Sequence, residues 1–241
     1  MLALGVASPA LLRAQAVADS SRAKSDSTHL ITRRQIAIGA GAVMLTGLFA
    51  PLDRPVQRAF QDRELQDNRV LHRTADGFSL MGGPGPFIIG PALFLGGGLA
   101  RYAPMQDVGA HLMEGVLLAA SIDGLLKGFT GRTLPDAGSG RPSDFSFGRG
   151  FHDNNGPFVS FPSGHTAAGF AMAAVLVEET ARRDPGASRY VTPIAYGGAT
   201  LIALSRLYEN VHWASDLPLG AAIGIWSGMT VVKWQHRGTH G

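Results

Sequence analysis

The sequence predicts an all-α fold, a transmembrane bundle of about six apolar helices. Charged residues make up only 16% of the 241-residue chain, against roughly 25% in an ordinary soluble domain. The chain also contains 32 glycines, and small residues let helices pack closely in lipid. The third observation is a succession of apolar stretches, each long enough for a helix. They are 35–52, 77–100, 108–126, 164–177, 191–204 and 217–232.

Several of these stretches are shorter than the ~20 residues that a full membrane crossing requires. Two interpretations are therefore open: short or tilted spanning helices, or the core helices of a soluble bundle. The mean hydropathy of +0.10 does not separate them. We favour the membrane bundle because a low charge content with abundant small residues suits helices packed closely in lipid. The charge-mixed segment 53–76 has apolar positions at near-helical spacing, which predicts an amphipathic helix on the core or the membrane interface.

The N-terminal segment 1–32 is predicted to be signal-like or disordered, and residues 33–241 to form a single helical domain. Residues 2–12 are mostly apolar, and Ala14 and Ala16 fit a small-x-small cleavage site, although no basic segment precedes them. Arg33 and Arg34 precede the first apolar stretch. They indicate either the basic cytoplasmic flank of a membrane helix or a twin-arginine export signal, and we favour the flank.

The distribution of basic residues predicts which loops face the cytoplasm. If the first apolar helix starts inside, most basic loops lie inside, as the positive-inside rule requires. These loops carry Arg101, Arg182, Arg183, Arg189, Lys233 and Arg237. The loops 53–76, 127–162 and 205–216 then lie on the opposite side, which predicts a bacterial inner-membrane protein whose site faces the periplasm. The loop 53–76 does not support this orientation, because it carries five arginines as well as five acidic residues. Cleavage after Ala16 would reverse this orientation.

Net charge and composition limit the classes of molecule that the protein is expected to bind. The chain carries a formal charge of +3, but its basic residues form no long run and are not interleaved with aromatic residues, so nucleic-acid binding is not expected. An anionic lipid or another anionic substrate fits this charge. The chain has no cysteine, which excludes disulfides, thiolate metal sites and a cysteine nucleophile.

Three polar clusters interrupt the apolar pattern, and all three fall on one side of the predicted bundle. In the first, Lys127 and Arg132 follow the end of an apolar helix. Lys127 alone is typical of a flanking residue that reaches back to the interface. The cluster lies in the long loop 127–162, and a loop of that length in a compact domain is usually functional.

The second cluster is Ser163, Gly164 and His165, directly before an apolar helix. Ser163 is a typical N-cap, and the amides of the first helical turn can bind an anion. Gly164 allows close approach of a ligand to the backbone, and His165 can donate a proton to a leaving oxygen. A plain capped helix with an incidental histidine is the alternative.

The third cluster contains Arg206, His212 and Asp216. The histidine and the aspartate are four residues apart and share a face in a helical turn. A carboxylate on one ring nitrogen fixes the tautomer and leaves the other nitrogen as a nucleophile. A surface ion pair is the alternative. Together the three clusters provide two cations, a helix N-terminus and two histidines, which suit phosphoryl transfer. No carboxylate-rich magnesium site is apparent, so we expect no metal or other cofactor.

The combined pattern resembles the type-2 phosphatidic acid phosphatase family, which shares its core fold with the vanadium haloperoxidases. In that family a lysine is followed seven residues later by arginine and proline. A Pro-Ser-Gly-His motif follows, here residues 162–165, and then a Ser-Arg pair with a histidine and an aspartate at fixed spacing. The last motif is complete in Ser205, Arg206, His212 and Asp216. The resemblance covers roughly residues 80–235.

The first motif departs from the family because Leu134 occupies the position of the arginine, although Lys127 and Pro135 match. Loss of one charge-stabilising donor typically costs roughly 10²–10³ in rate. Either activity is low or another arginine substitutes. Arg132 and Arg141 are the candidates, and we favour Arg132 as a phosphate ligand because it needs less rearrangement of the loop.

The resemblance implies a metal-independent phosphatase that hydrolyses lipid phosphate monoesters or isoprenoid diphosphates at the membrane. It implies that His212 attacks phosphorus and forms phosphohistidine, that Asp216 orients it, and that His165 protonates the leaving oxygen. Substrate phosphate is expected to contact Lys127, Arg206, Ser163 and Gly164. A vanadium-dependent haloperoxidase, a phosphotransferase and a non-catalytic lipid-phosphate-binding relative are the alternatives, the last because of Leu134.

Overall fold

The computed structural model describes residues 33–137, 140–152 and 156–237, which form helices, turns and one long loop. The predicted all-α class is confirmed. The signal-like segment 1–32 lies outside the described residues. The helices are α1 (Arg33–Phe49), α2 (Asp53–Phe60), α3 (Arg63–Gln66), α4 (Arg69–Gly82), α5 (Gly85–Leu99), α6 (Ala103–Thr130), α7 (Gly164–Arg183), α8 (Pro185–Tyr208) and α9 (Asp216–Gln235). Short 3₁₀ turns lie at Ala50–Leu52 and Arg149–His152.

Two helical segments among the described residues are long and apolar enough to cross a membrane. They are Arg33–Phe60 and Ala103–Thr130, each 28 residues long. A third crossing is possible if the bent pair α4 and α5 counts as one span. Large apolar side chains on α1 and α5 are exposed, as expected of surfaces that face lipid. Examples are Val43, Met44, Leu48, Ile88 and Leu95.

The predicted apolar stretch 77–100 is not one helix. It breaks between Gly82 and Gly85, and the two halves meet at 58°. Pro84 and Pro86 lie at the start of α5, where proline is tolerated because the first amides of a helix have no intrahelical partner. The amphipathic segment 53–76 is likewise divided among α2, α3 and the first half of α4.

Helix α7 is the centre of the bundle, and it packs against α6, α8 and α9. Small side chains on α7 are almost fully buried, and branched side chains of the neighbouring helices fill the space around them. The buried core contains Leu112, Val116, Ala119, Ala167, Ala171, Val175, Ile202, Ile223 and Val232.

Glycines at every fourth position bring α9 against α7. A β-carbon on Gly220 would lie 2.6 Å from the carbonyl oxygen of Ser163, and one on Gly228 would lie 2.6 Å from that of Ala171. Between them, a β-carbon on Gly224 would collide with the carbonyl of Ala167. The contact therefore requires glycine. It places the start of α9 beside the start of α7, where the second and third polar clusters lie.

The long loop between α6 and α7 folds back over the same end of the bundle. Gly131 ends α6 with φ +54°, a left-handed conformation typical of a glycine after a helix. The loop is anchored by an isolated bridge between Arg132 and Phe145. The amide of Ser160 donates to the carbonyl of Arg132 over 3.0 Å. This loop delivers its polar residues to the starts of α7 and α9.

Candidate active site

The predicted histidine–aspartate pair is formed. Nδ1 of His212 lies 3.3 Å from Oδ2 of Asp216, and both side chains are buried. His212 lies in the turn between α8 and α9, and Asp216 is the first residue of α9. With a proton on Nδ1, the imidazole donates to the carboxylate and leaves Nε2 with its lone pair. The arrangement is that of an oriented nitrogen nucleophile.

Asp216 is itself held by several donors. Oδ2 accepts from the hydroxyl of Ser160 over 2.6 Å and from the amide of Trp213 over 2.8 Å. Oδ1 accepts from the guanidinium of Arg132. The side chain is fully buried, so these bonds replace the water that burial removes. The pKa of Asp216 is held below its ordinary value: burial acts to raise it, but the bond with His212 and the charge of Arg132 outweigh burial.

Arg132 is a partner of carboxylates in this structure. Nη2 donates to Asp53 over 2.6 Å, and Nη1 donates to Ser215 over 2.8 Å as well as to Asp216. Nε donates to the carbonyl of Pro142 over 2.8 Å. The side chain is 4% exposed. These bonds place Arg132 on the oxygen of Asp216 that does not face His212. They do not support the expected contact between Arg132 and phosphate, because the guanidinium is committed to protein acceptors.

The N-terminus of α7 has the expected capped form. The hydroxyl of Ser163 accepts from the amide and the hydroxyl of Thr166, and the amide of Ser163 donates to the carbonyl of Asp216 over 3.3 Å. The amides of Gly164 and His165 belong to the first turn, which has no intrahelical acceptor for them. A β-carbon on Gly164 would lie 2.8 Å from Oδ2 of Asp123, so a larger residue here would displace that carboxylate.

Two cations reach this end of the bundle. Nζ of Lys127 donates to the carbonyl of Val159 over 2.9 Å and lies 3.4 Å from Asp123. Arg206 is 7% exposed; its Nη1 donates to Glu209 over 2.6 Å and also to the hydroxyl of Ser79. Among the described residues, Nε of Arg206 is buried without a hydrogen-bond partner. A buried cationic donor without a partner favours an anionic ligand at this point.

His165 lies over the same site. It is within electrostatic range of Arg206, His212 and Lys127. The break between α4 and α5 closes over it, because a β-carbon on Gly83 would lie 2.9 Å from Nε2 of His165. The structure thus brings together both predicted histidines, both predicted cations and the start of α7.

The environment of His212 keeps the imidazole neutral. Burial lowers its pKa to about 4, and the nearby charges of Lys127 and Arg206 add to this, although the hydrogen bond and charge of Asp216 act in the opposite direction. A neutral imidazole is the form that can attack phosphorus. His212 lies in a connecting turn, outside the candidate membrane spans.

Sequence reasoning missed four residues of the site, which are Asp53, Ser160, Ser215 and Asp123. Asp53 bonds to Arg132 and also accepts from the amide and hydroxyl of Ser215 over 2.8 and 2.7 Å. Ser160 bonds to Asp216. The carboxylate of Asp123 lies between Lys127 and Gly164, and its Oδ1 has no partner among the described residues. The spacing of Asp123 and Lys127, four residues apart, was the one available signal.

Comparisons with known proteins agree with this geometry. Residues 109–239 match the model of the PAP2 superfamily. Over 81 residues the chain is 41% identical to a lipid A 1-phosphatase from Porphyromonas gingivalis, and the match covers 34% of this chain and 17% of that protein. The chain therefore spans about a sixth of the length of this relative.

Two solved structures share the fold. One is a transmembrane PAP2-type phosphatidylglycerolphosphate phosphatase from Bacillus subtilis, with a TM-score of 0.57, 20% identity, and coverage of 86% of this chain and 98% of that one. The other is LpxE from Aquifex aeolicus, with a TM-score of 0.50, 24% identity, and coverage of 76% and 95%.

Proposed function

Because this chain belongs to the PAP2 superfamily, we propose that it is a membrane phosphatase that hydrolyses a lipid phosphate or diphosphate through a phosphohistidine on His212. The observation that carries the proposal is the oriented imidazole of His212, with Asp216 behind it and Lys127 and Arg206 beside it. A buried nucleophile next to two cations suits a substrate whose reacting centre carries negative charge.

The first chemical step forms a bond between Nε2 of His212 and phosphorus. The phosphorus–oxygen bond to the lipid breaks, and its electron pair leaves with the lipid oxygen, which takes a proton from His165. Burial and the charges of Arg206, His212 and Lys127 lower the pKa of His165 to about 3 in the free site. The negative charge of the bound phosphate must therefore raise this pKa for His165 to carry the proton that it donates. Asp216 stabilises the positive charge that develops on the imidazole of His212, as a carboxylate behind a catalytic histidine does. Lys127, Arg206 and the first amides of α7 neutralise the phosphoryl oxygens.

The second step releases phosphate. A water molecule attacks phosphorus, its proton passes to His165, and the nitrogen–phosphorus bond breaks to restore neutral His212. The first step consumes a proton of His165 and the second returns one, so both steps balance without a redox partner. Every role in this cycle is filled by a side chain or amide of the chain itself, so no metal ion enters the proposed mechanism.

Arg132 takes a new role in this proposal. It pairs with Asp216 and Asp53, so we place it behind the nucleophile as a positioning residue. Ser163 likewise acts through the helix start that it caps, and Gly164 allows the close approach. Arg206 keeps the phosphate contact that the family resemblance implies for it, and its unpartnered Nε is a donor available for that contact.

An apolar cavity beside the site supports a lipid substrate. It has a volume of about 210 Å³ and lies among α4, α5, α6, α7 and α8. Its wall includes Ile202, and a β-carbon on the neighbouring Gly82 would touch both Ile202 and His165. An acyl or prenyl chain in this cavity would bring the attached phosphate to His165. The partners proposed are therefore the membrane and a lipid carrying one or two phosphates.

Candidate substrate classes come from the names of two relatives, lipid A 1-phosphatase and phosphatidylglycerolphosphate phosphatase. The basic loops described above further support an inner-membrane location with the site on the periplasmic side.

The test is turnover of detergent-solubilised protein on a substrate panel. The panel contains phosphatidate, phosphatidylglycerol phosphate, polyprenyl diphosphate and lipid A. We expect release of inorganic phosphate from at least one of them, loss of activity in His212→Ala, and full activity with a chelator, all measured well below the unfolding temperature. His72→Ala is the matched control because His72 also lies four residues before an aspartate but is exposed.

Three results would contradict the proposal. Undiminished turnover in His212→Ala would reject the nucleophile. Phosphate binding without turnover of any substrate would favour the non-catalytic interpretation that Leu134 suggests. Halide oxidation in the presence of vanadate would favour a vanadium-dependent haloperoxidase.

A further inference from the structure

A second cluster of histidine and carboxylate groups lies away from the phosphate site. Oε1 of Glu179 is 2.7 Å from Nδ1 of His111 and 2.9 Å from Nε2 of His236. The three ligand atoms all lie within 4.8 Å of one another. Glu179 is 2% exposed, His111 is buried and His236 is partly exposed. The proposed phosphatase mechanism uses none of these residues.

The cluster is at the opposite end of the helices that carry the phosphate site. On α6, His111 precedes Lys127 by 16 residues, and on α7, Glu179 follows His165 by 14 residues. At 1.5 Å per residue these separations are roughly 24 and 21 Å along the helix axes. His236 follows the end of α9. One residue from each of three helical segments therefore meets at one point.

The donor set is that of a transition metal. Two imidazole nitrogens and one carboxylate oxygen are a ligand set found with Zn²⁺, whereas Mg²⁺ and Ca²⁺ prefer oxygen ligands. Zn²⁺ bonds to nitrogen and oxygen at ~2.0–2.2 Å. The present hydrogen bonds would open by roughly half an ångström to admit the ion. The partly exposed His236 can make that movement.

The surroundings of Glu179 favour a defined coordination geometry. Arg183 donates to Oε2 of Glu179 and lies 3.3 Å from Oδ2 of Asp107. It therefore fixes the carboxylate from behind and leaves Oε1 directed toward the two histidines. Metal-binding carboxylates are commonly held in this way by a second hydrogen bond. The charge of Asp107 offsets that of Arg183, so the pair adds no net positive charge beside the ion.

We propose that His111, Glu179 and His236 bind a Zn²⁺ ion that joins α6, α7 and the end of α9. The fourth position is filled by water on the partly exposed side of His236. The role of the ion is structural, because it lies far from the phosphate site. Because Zn²⁺ binds the folded protein and not the unfolded chain, it raises the free energy of unfolding with the logarithm of its concentration above the dissociation constant.

The experiment uses the full chain purified without a histidine tag and treated with a chelator, followed by dialysis. Zn²⁺ is added in competition with a chromogenic chelator, and thermal unfolding is followed at each concentration. We expect one Zn²⁺ per chain and a rise in the unfolding midpoint with Zn²⁺ but not with Mg²⁺. His236→Gln weakens binding by at least about tenfold, and His111→Gln does the same, while phosphatase turnover below the unfolding transition stays unchanged.

His72→Gln is the matched control, because this exposed histidine also pairs with a carboxylate. It is expected to bind Zn²⁺ like the wild type. All variants are first compared in the chelator, so a loss of folding is separated from a loss of binding. Absence of Zn²⁺ binding in the wild type, or equal binding in the wild type and His236→Gln, would overturn the proposal. In that case the cluster is a hydrogen-bonded contact between helices.

Discussion

The two sides of His212 differ in how completely their polar atoms are bonded. We call Asp53, Arg132, Ser160, Ser215 and Asp216 the rear of the site, and Asp123, Lys127, His165 and Arg206 the front. Every carboxylate oxygen of the rear accepts at least one hydrogen bond. At the front, Nε of Arg206 and Oδ1 of Asp123 have no partner among the described residues.

This difference indicates that the rear positions His212 and that the front binds the phosphate. A buried network in which every polar atom is bonded holds one geometry and needs no ligand to complete it. A buried cation with an unused donor is completed when an anion arrives. The rear therefore fixes the nucleophile before substrate binds, and at the front Nε of Arg206 gains its missing bond from the phosphate.

The largest expected effect comes from Asp216→Asn. The amide keeps the shape of the carboxylate but removes the charge that stabilises the imidazolium of His212 and can reverse its tautomer. We expect kcat to fall by about 10⁴ with KM little changed. Steady-state kinetics on the best lipid of the panel measures this. A loss below tenfold would mean that Asp216 does not act through His212.

Arg206→Ala tests the front. It removes the unpartnered donor, and we expect kcat to fall by about 10²–10³. The affinity for vanadate, a phosphate analogue, should fall as well. Arg189→Ala is the control because Arg189 lies at the start of α8 and is exposed. Vanadate affinity equal to that of the wild type would show that Arg206 does not contact the anion.

The Arg132→Gln variant tests whether Arg132 stabilises the rear, and the measurement is the thermal stability of the protein. It leaves Asp53 and Asp216 buried without their common cation, and breaking a buried ion pair from one side costs about 3–5 kcal/mol. We expect a lower unfolding midpoint and lower kcat, with the affinity for vanadate retained. If the variant lost vanadate binding but kept its stability, Arg132 would belong to the front, as the sequence suggested.

Leu134→Arg has the smallest expected effect. Leu134 is partly buried, and its amide donates to the carbonyl of Pro157 over 2.8 Å. Since Lys127, Arg206 and the start of α7 already surround the phosphate position, we expect kcat to rise by about tenfold or less. A rise of 10² or more would show that the front lacks a donor that the family normally has.

Lys127, His165, Arg206 and most of the helix positions could be predicted from sequence because their signals are local. Ser163 before an apolar run predicts a capped helix, and the spacing of His212 and Asp216 predicts their pairing. The contact between Asp53 and Arg132 at the rear could not be predicted, since the two residues are 79 positions apart and meet only after the loop folds back. No sequence spacing indicates that contact. The sequence alone therefore favours Arg132 as a phosphate ligand, because it lies two residues from Leu134, where the family has arginine.

The helix break at Gly83 is a second feature that the sequence did not predict. Composition predicted one apolar stretch at 77–100, but the closely spaced glycines and prolines there permit either a kink or a break. The structure shows a break, and the backbone at Gly83 passes close to the ring of His165 on another helix. The sequence around Gly83 does not record that contact.

The central claim is tested most directly by identifying the phosphorylated residue. Wild-type protein is mixed with radiolabelled substrate, quenched within milliseconds under alkaline conditions, which preserve phosphohistidine, and digested for peptide mapping. The account predicts label on the peptide that contains His212, and no label in His212→Ala. Label on a different residue, or label that persists in His212→Ala, would contradict it.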